Sequence, residues 1–173
     1  MSGDTAVQVI PDAPASSANH TSVHAVWRGD RRYEVGRQGE TTILVDGTRA
    51  DGPGPVDVLL GALGSCSAMD VVDFLEKRRT PVGALEVVVV AERRAAAPRR
   101  VLNATLTFHI HGAGIESVHA ERAITLAIEN YCSVASSLAS DIVLHSQLVL
   151  NGERHSLERQ HVAPVMLATL ATS

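Results

Sequence analysis

The sequence predicts an α+β fold with the element order βββ–α–ββ–α–β. Three observations carry that prediction. Short segments of alternating apolar and polar residues arrive in two hairpin groups, one before Gly47 and one after Gly83. A long apolar helical run with breakers at both ends separates the groups. Strands that come in groups, rather than singly between helices, argue against a doubly wound parallel sheet.

The first group reads as three strands. Ser22–Arg28 alternates, with Val23, Ala25 and Trp27 on one face. Gly29-Asp30 offers a turn, and Arg31–Gly36 continues as the second strand. Thr41–Asp46 is the third, stopped by Asp46-Gly47. The breaker cluster Asp51-Gly52-Pro53-Gly54-Pro55 follows. Pro55 suits the first helical position, where its missing N–H is not needed. A helix is predicted from there to about Arg79, closed by Glu76-Lys77-Arg78-Arg79 and stopped by Thr80-Pro81. Its first half is apolar all round, so it needs neighbours on every side, and a second copy of the chain is the simplest source of them.

Leu85–Arg94, with four consecutive valines, and the alternating Val101–His111 read as a hairpin of strands joined through Ala95–Pro98. Ser117–Tyr131 is predicted helical, with Ser117 as N-cap and Val118, Ala123, Ile124, Ala127 and Ile128 as its apolar stripe. Ser133–Ala139 suits one further turn, and Ile142–Leu150 a last strand ending at Asn151-Gly152. The expected organisation is a disordered arm over residues 1–20, one domain over 21–151, and a tail over 152–173 in which Val165–Leu170 docks as a short element.

Composition narrows the function classes. At 173 residues with 3% aromatics, the core must be built from Val, Leu, Ala and Ile. The net charge of −4, without a basic stripe carrying aromatics, argues against nucleic acid as a partner. Neither a signal peptide nor 18 uncharged apolar residues in a row can be read, so the expectation is a cytoplasmic chain without a membrane span. No P-loop, dinucleotide fingerprint or Ser-His-Asp motif occurs, and no cofactor is expected. His109-x-His111 has metal-ligand spacing but no third ligand in reach of it, so no metal is expected. Asp70 and Asp73, at i,i+3 on the long helix, read as solvated acids or as a carboxylate pair near Cys66.

The chain has two cysteines, Cys66 within the long helix and Cys132 at the end of the second. Two thiols on separate helices in a reducing compartment point to redox chemistry or to two inert buried thiols. Gly52-Pro53-Gly54-Pro55 followed by Ala62-Leu63-Gly64-Ser65-Cys66, and Tyr131-Cys132-Ser133-Val134 followed by a strand, resemble the OsmC/Ohr family of thiol peroxidases over about Val23 to Leu150. Cys66-Ser67-Ala68-Met69-Asp70 and Ser133 are more similar to a less characterised OsmC-like branch.

That resemblance implies an intertwined homodimer with long central helices packed against antiparallel sheets. It implies reduction of organic hydroperoxides, with Cys66 as the attacking thiol and Cys132 resolving its sulfenic acid as a disulfide. A small thiol or a lipoylated protein then serves as reductant. The alternative is a non-catalytic dimer of the same fold that senses redox state or binds a small apolar ligand.

Cys66 lies about eleven residues into its helix, beyond the reach of the helix dipole, so an arginine must stabilise its thiolate. Arg28, Arg31 and Arg49 are the candidates, Arg31 first because it follows the Gly-Asp turn. The peroxidase branches hold this arginine with a Glu directly after the proline. Here Val56 occupies that place and Asp57 comes one residue later, either to bind the arginine or to serve as an early-turn acid. Nine helical residues separate Asp57 and Cys66 by about 13 Å along the axis and about 180° around it. A site using both must therefore draw on a second subunit.

Overall fold

The breaker cluster at 51–55 divides the chain physically. Residues up to Pro55 form one compact unit and residues from Val56 form another. The structure, a computed structural model, describes residues 19–162, with the backbone alone at 156–159. The expected arm over most of 1–20 and the docking segment Val165–Leu170 lie outside the described residues.

The N-terminal unit is an antiparallel sheet of β1 (His24–Trp27), β2 (Arg32–Gly36) and β3 (Ile43–Asp46) in the order β1-β2-β3. Three short strands bury little. Val45 is buried, whereas Val23, Trp27, Tyr33 and Ile43 are exposed. The turn after β3 is organised by Asp46, whose side chain is buried. Its carboxylate accepts from the N–H groups of Thr48 (2.8 Å), Ala50 (3.1 Å) and Asp51 (3.0 Å) and from the Thr48 hydroxyl. These bonds favour the ionised form and hold the group at about 2, below the ordinary 3.8. Gly52 is required in the same loop, because a Cβ there would lie 2.7 Å from the Leu44 carbonyl oxygen.

The second unit begins with α1 (Pro55–Lys77) and continues with β4 (Ala84–Arg93), β5 (Val101–His111), α2 (Ser117–Leu126), a π-helical turn (Ala127–Tyr131), α3 (Ser133–Ser136), β6 (Val143–Leu150) and β7 (Glu153–Val162). Its sheet has the order β4-β5-β6-β7. The core lies between one sheet face, carrying Ala104, Leu106, Phe108, Ile110, Leu144 and Leu148, and the buried sides of the helices. Leu63, Val71 and Leu75 of α1 and Ala120, Ile124, Ala127 and Ile128 of the α2 segment complete it. Gly64 lets α1 come close to β4: a Cβ there would stand 3.0 Å from Val89 Cγ2.

Three points differ from the sequence reading. β5 and β6 pair in parallel, within a sheet otherwise antiparallel, because the α2 segment carries the chain back to the starting end of the sheet. The predicted helix 117–131 is α-helical only to Leu126 and then widens into the π-helical turn. The start of the expected tail is a ten-residue strand, β7, paired with β6 from Val143↔Val162 to Leu150↔Glu153. As the sequence reading expects of a single chain, α1 is not covered on every side: Leu59 is 40% and Met69 69% exposed. By length and mean hydropathy (1.6 over 18 residues) α1 would also suit a membrane span, although it carries Asp57, Asp70 and Asp73.

Candidate functional site

Cys66 sits mid-way along α1 and is half-buried; Cys132 is 2% exposed. About 65 residues apart in sequence, the two thiols are neighbours in the fold, near enough for the Cys66 sulfur to act on the Cys132 thiol. Both are free. Their meeting depends on the π-helical turn. The Cys132 N–H bonds to the Ala127 carbonyl at 2.8 Å, an i→i+5 bond that ends the turn. Cys132 then leaves the helical conformation (φ −65°, ψ 102°) and caps α3, its Sγ accepting from the Ala135 N–H at 3.3 Å. Single π turns inside helices are frequent at functional sites, and here the turn ends at the thiol-bearing residue.

The two thiols are unequal. Burial pushes the Cys132 thiol up, and the neighbouring Cys66 sulfur adds to that shift. Ser67 and the Ala135 N–H act the other way. The Ser67 hydroxyl is buried and makes no hydrogen bond of ordinary geometry, yet it lies near enough to the Cys132 sulfur to favour its thiolate.

Asp70 lies one helical turn beyond Cys66, and i,i+4 residues share a face. It is not the solvated acid that its sequence context suggests. One carboxylate oxygen is buried without a hydrogen-bond partner. Burial raises its pKa, the Asp73 charge raises it further, and Lys77 partly opposes the shift. Periodicity could place Asp70 near Cys66 but could not reveal the buried oxygen.

Asp57 occupies the first turn of α1, at one end of a groove of about 470 Å³ lined also by Leu60, Gly64, Ser65, Leu85 and Val89. Cys66 does not line this groove, in keeping with the half-turn between the two residues. The three candidate arginines all belong to the N-terminal unit. Arg28 is held by Glu34, with Nη2 to Oε2 at 2.6 Å. Arg31 lies against Gly47, where a Cβ would be 3.0 Å from its Nε. Arg49 sits in the Asp46 loop at φ +62°, its N–H donating to the Asp46 carbonyl at 3.0 Å. A fourth, Arg32, is paired with Asp30 and Asp51 and was not singled out by the sequence reading. His109 and His111 lie on β5, and among the described residues no cluster of three or more His, Cys, Asp or Glu side chains suits a metal ion.

Residues 47–146 match the family model described as OsmC-like protein. The chain is 40% identical over 110 residues to Protein YhfA of Escherichia coli strain K12, covering 62% of this chain and 82% of that protein. Solved structures share the fold, the following two among them. The OsmC-like protein of Mycoplasma pneumoniae superposes with a TM-score of 0.68 at 17% identity, covering 78% of this chain and 99% of that one. The organic hydroperoxide resistance protein OhrB of Bacillus subtilis superposes with a TM-score of 0.52 at 12% identity, covering 74% and 96%.

Proposed function

Because the chain belongs to the OsmC-like protein family, we propose that it is a thiol-dependent reductase of organic hydroperoxides, acting as a homodimer in the cytoplasm. The observation that supports this reading is that Cys66 and Cys132, from separate elements, are near enough for one sulfur to act on the other's thiol. A family whose solved members include a protein named for organic hydroperoxide resistance supplies the substrate class.

The asymmetry of the thiols supports unequal roles for them in this reading. Cys66, half-buried, is the one a hydroperoxide can reach. Its thiolate attacks the terminal peroxide oxygen; the O–O bond breaks, Cys66 becomes a sulfenic acid, and the leaving alkoxide takes a proton to depart as an alcohol. Cys132, buried and held in its protonated form, is poorly suited to attack peroxide. It instead condenses with the sulfenic acid, releasing water and forming the Cys66–Cys132 disulfide. Two electrons and two protons from a dithiol, free or carried as a lipoyl group on a protein, restore both thiols.

The cation for the Cys66 thiolate comes in this proposal from Arg31, Arg28 or Arg49, oriented by a carboxylate, with Asp57 taking over the part of the missing Glu. The exposed Leu59 and Met69 of α1, and Val88 and Val90 on edge strand β4, support a second copy of the chain as a covering partner. So does the three-stranded sheet with Trp27 and Ile43 in solvent.

Consumption of cumene hydroperoxide with dithiothreitol or dihydrolipoamide tests the proposal. Wild type should turn over and Cys66→Ser should not. Oxidation of one equivalent without turnover would favour the redox-sensing alternative. Absence of both turnover and sulfenate on Cys66 would end the peroxidase reading.

A further inference from the structure

A second concave site lies away from the thiols, where the C-terminal end of α1 meets α2. The cleft has a volume of about 190 Å³ and is lined by Phe74, Lys77 and Arg78 from one helix side and His119, Arg122, Ala123 and Leu126 from the other. Along α1, Phe74 and Lys77 are about 12 and 16 Å from Cys66. The floor is apolar: the Phe74 ring, Leu126 and the buried Ala123. The walls are cationic.

Lys77 and Arg78 alone would need no ligand to explain them, since cations at a helix C-terminus complement its dipole. His119 and Arg122, however, come from the first turn and the middle of another helix and converge on the same cleft. Among the described residues no carboxylate lies within 4 Å of the Lys77, Arg78 or Arg122 side-chain nitrogens. The nearest rim acid, Glu116, stands 3.8 Å from His119 Nε2. Lys77 Nζ is over the Phe74 ring, 5.8 Å from its centroid. Arg78 Nη2 is 2.6 Å from His119 Nε2, and a guanidinium only donates, so that imidazole nitrogen is the acceptor. Arg78 thus uses one donor on a neutral ring and retains others for a ligand.

We infer that this cleft binds a small amphipathic anion, an oxyanion head on a compact apolar body, such as an aromatic or short-chain carboxylate or phosphate monoester. Arg78 and Arg122 grip the head with charge-assisted hydrogen bonds, for which planar guanidinium is best suited. Lys77 adds a point charge. The body rests on Phe74 and Leu126; a cavity of about 150 Å³ already accommodates benzene, so a single ring fits. The Phe74 ring also contacts Tyr131 in an edge-to-face pair at 5.2 Å between centroids. Occupation of the cleft therefore registers on the residue next to Cys132.

Two-dimensional NMR titration of the full-length protein with benzoate and with phenyl phosphate, at constant ionic strength, tests this. Saturable shifts confined to residues around Phe74, His119, Arg122 and Tyr131 are expected with at least one probe, and the tighter one identifies carboxylate or phosphate as the preferred head. Benzyl alcohol, with the same ring and no charge, and inorganic phosphate, with no ring, should each bind about tenfold more weakly or worse. Arg78→Gln/Arg122→Gln should weaken the better probe by about tenfold or more. Arg122→Gln alone, at an exposed position, should weaken it in the same direction. No saturable shift with either probe, equal binding of benzyl alcohol, or unchanged affinity in the arginine variants would overturn the inference. None of these outcomes depends on peroxidase turnover, so the two proposals stand or fall separately.

Discussion

Oxidation of the two thiols should change the stability of this protein by a large and calculable amount. The Cys66 sulfur is near enough to act on the Cys132 thiol, and the proposed cycle joins the two as a disulfide between α1 and the end of the π-helical turn. It would close a loop of about 65 residues, and the chain-entropy relation gives roughly 4 kcal/mol for a loop of that length. For a chain of this size each kcal/mol moves Tm by about 2–4 °C, so a rise of roughly 8–16 °C is expected on oxidation. The assay is differential scanning calorimetry before and after one equivalent of cumene hydroperoxide, with free thiols counted in parallel. Cys132→Ser is the control. Serine is a favoured N-cap, so α3 keeps its cap while the cross-link is lost. This variant should show no Tm rise and should accumulate a dimedone-reactive sulfenic acid at Cys66. An oxidised wild type that melts with the reduced protein while its thiols are consumed would refute the intramolecular disulfide. An equal Tm rise in Cys132→Ser would refute the cross-link as its cause.

Other outcomes follow from the same geometry. Asp46 has a folded-state pKa of about 2, below its ordinary value, so the stability it contributes is complete above about pH 4 and disappears as pH falls through about 2. Asp46→Asn should therefore lower the urea midpoint at pH 7 and lose most of that deficit near pH 2. Asp70 is the opposite case: its raised pKa makes the ionised form unfavourable in the folded state, a penalty that grows as pH rises through its titration and persists above it. Asp70→Asn should raise the midpoint at pH 7 and leave it nearly unchanged at pH 3, as urea melts at the two pH values would show. Gly52→Ala drives a methyl against the Leu44 carbonyl and should cost about 1–3 kcal/mol in chemical denaturation.

Much of the fold was legible because its signals are local. The breaker cluster at 51–55, the Pro55 start of α1 and the alternation of Ala104, Leu106, Phe108 and Ile110 each reflect one element's own chemistry, and the structure has them where the pattern placed them. The strand β7 was not legible. Its residues, Glu-Arg-His-Ser-Leu-Glu-Arg-Gln-His-Val, are polar enough to read as a tail. What recruits them is the open edge of β6, an interaction between strands that no single segment encodes. The parallel β5–β6 pairing was hidden for the same reason, since direction depends on where the intervening helix returns the chain.

The candidate site divides along the same line. The sequence by itself determined that two thiols exist, that one lies deep in a long helix, and that the other ends a helix. Their motifs were enough to suggest the family. Only the tertiary structure decided that the thiols are neighbours, that Cys132 is sealed from solvent with its thiol pushed up by that burial, and that one Asp70 oxygen is buried without a hydrogen-bond partner. The physical reason is that hydrophobic period and turn chemistry act over a few residues. Desolvation and thiol–thiol contact arise between segments about 65 residues apart, joined here by one extra residue in the last turn before Cys132.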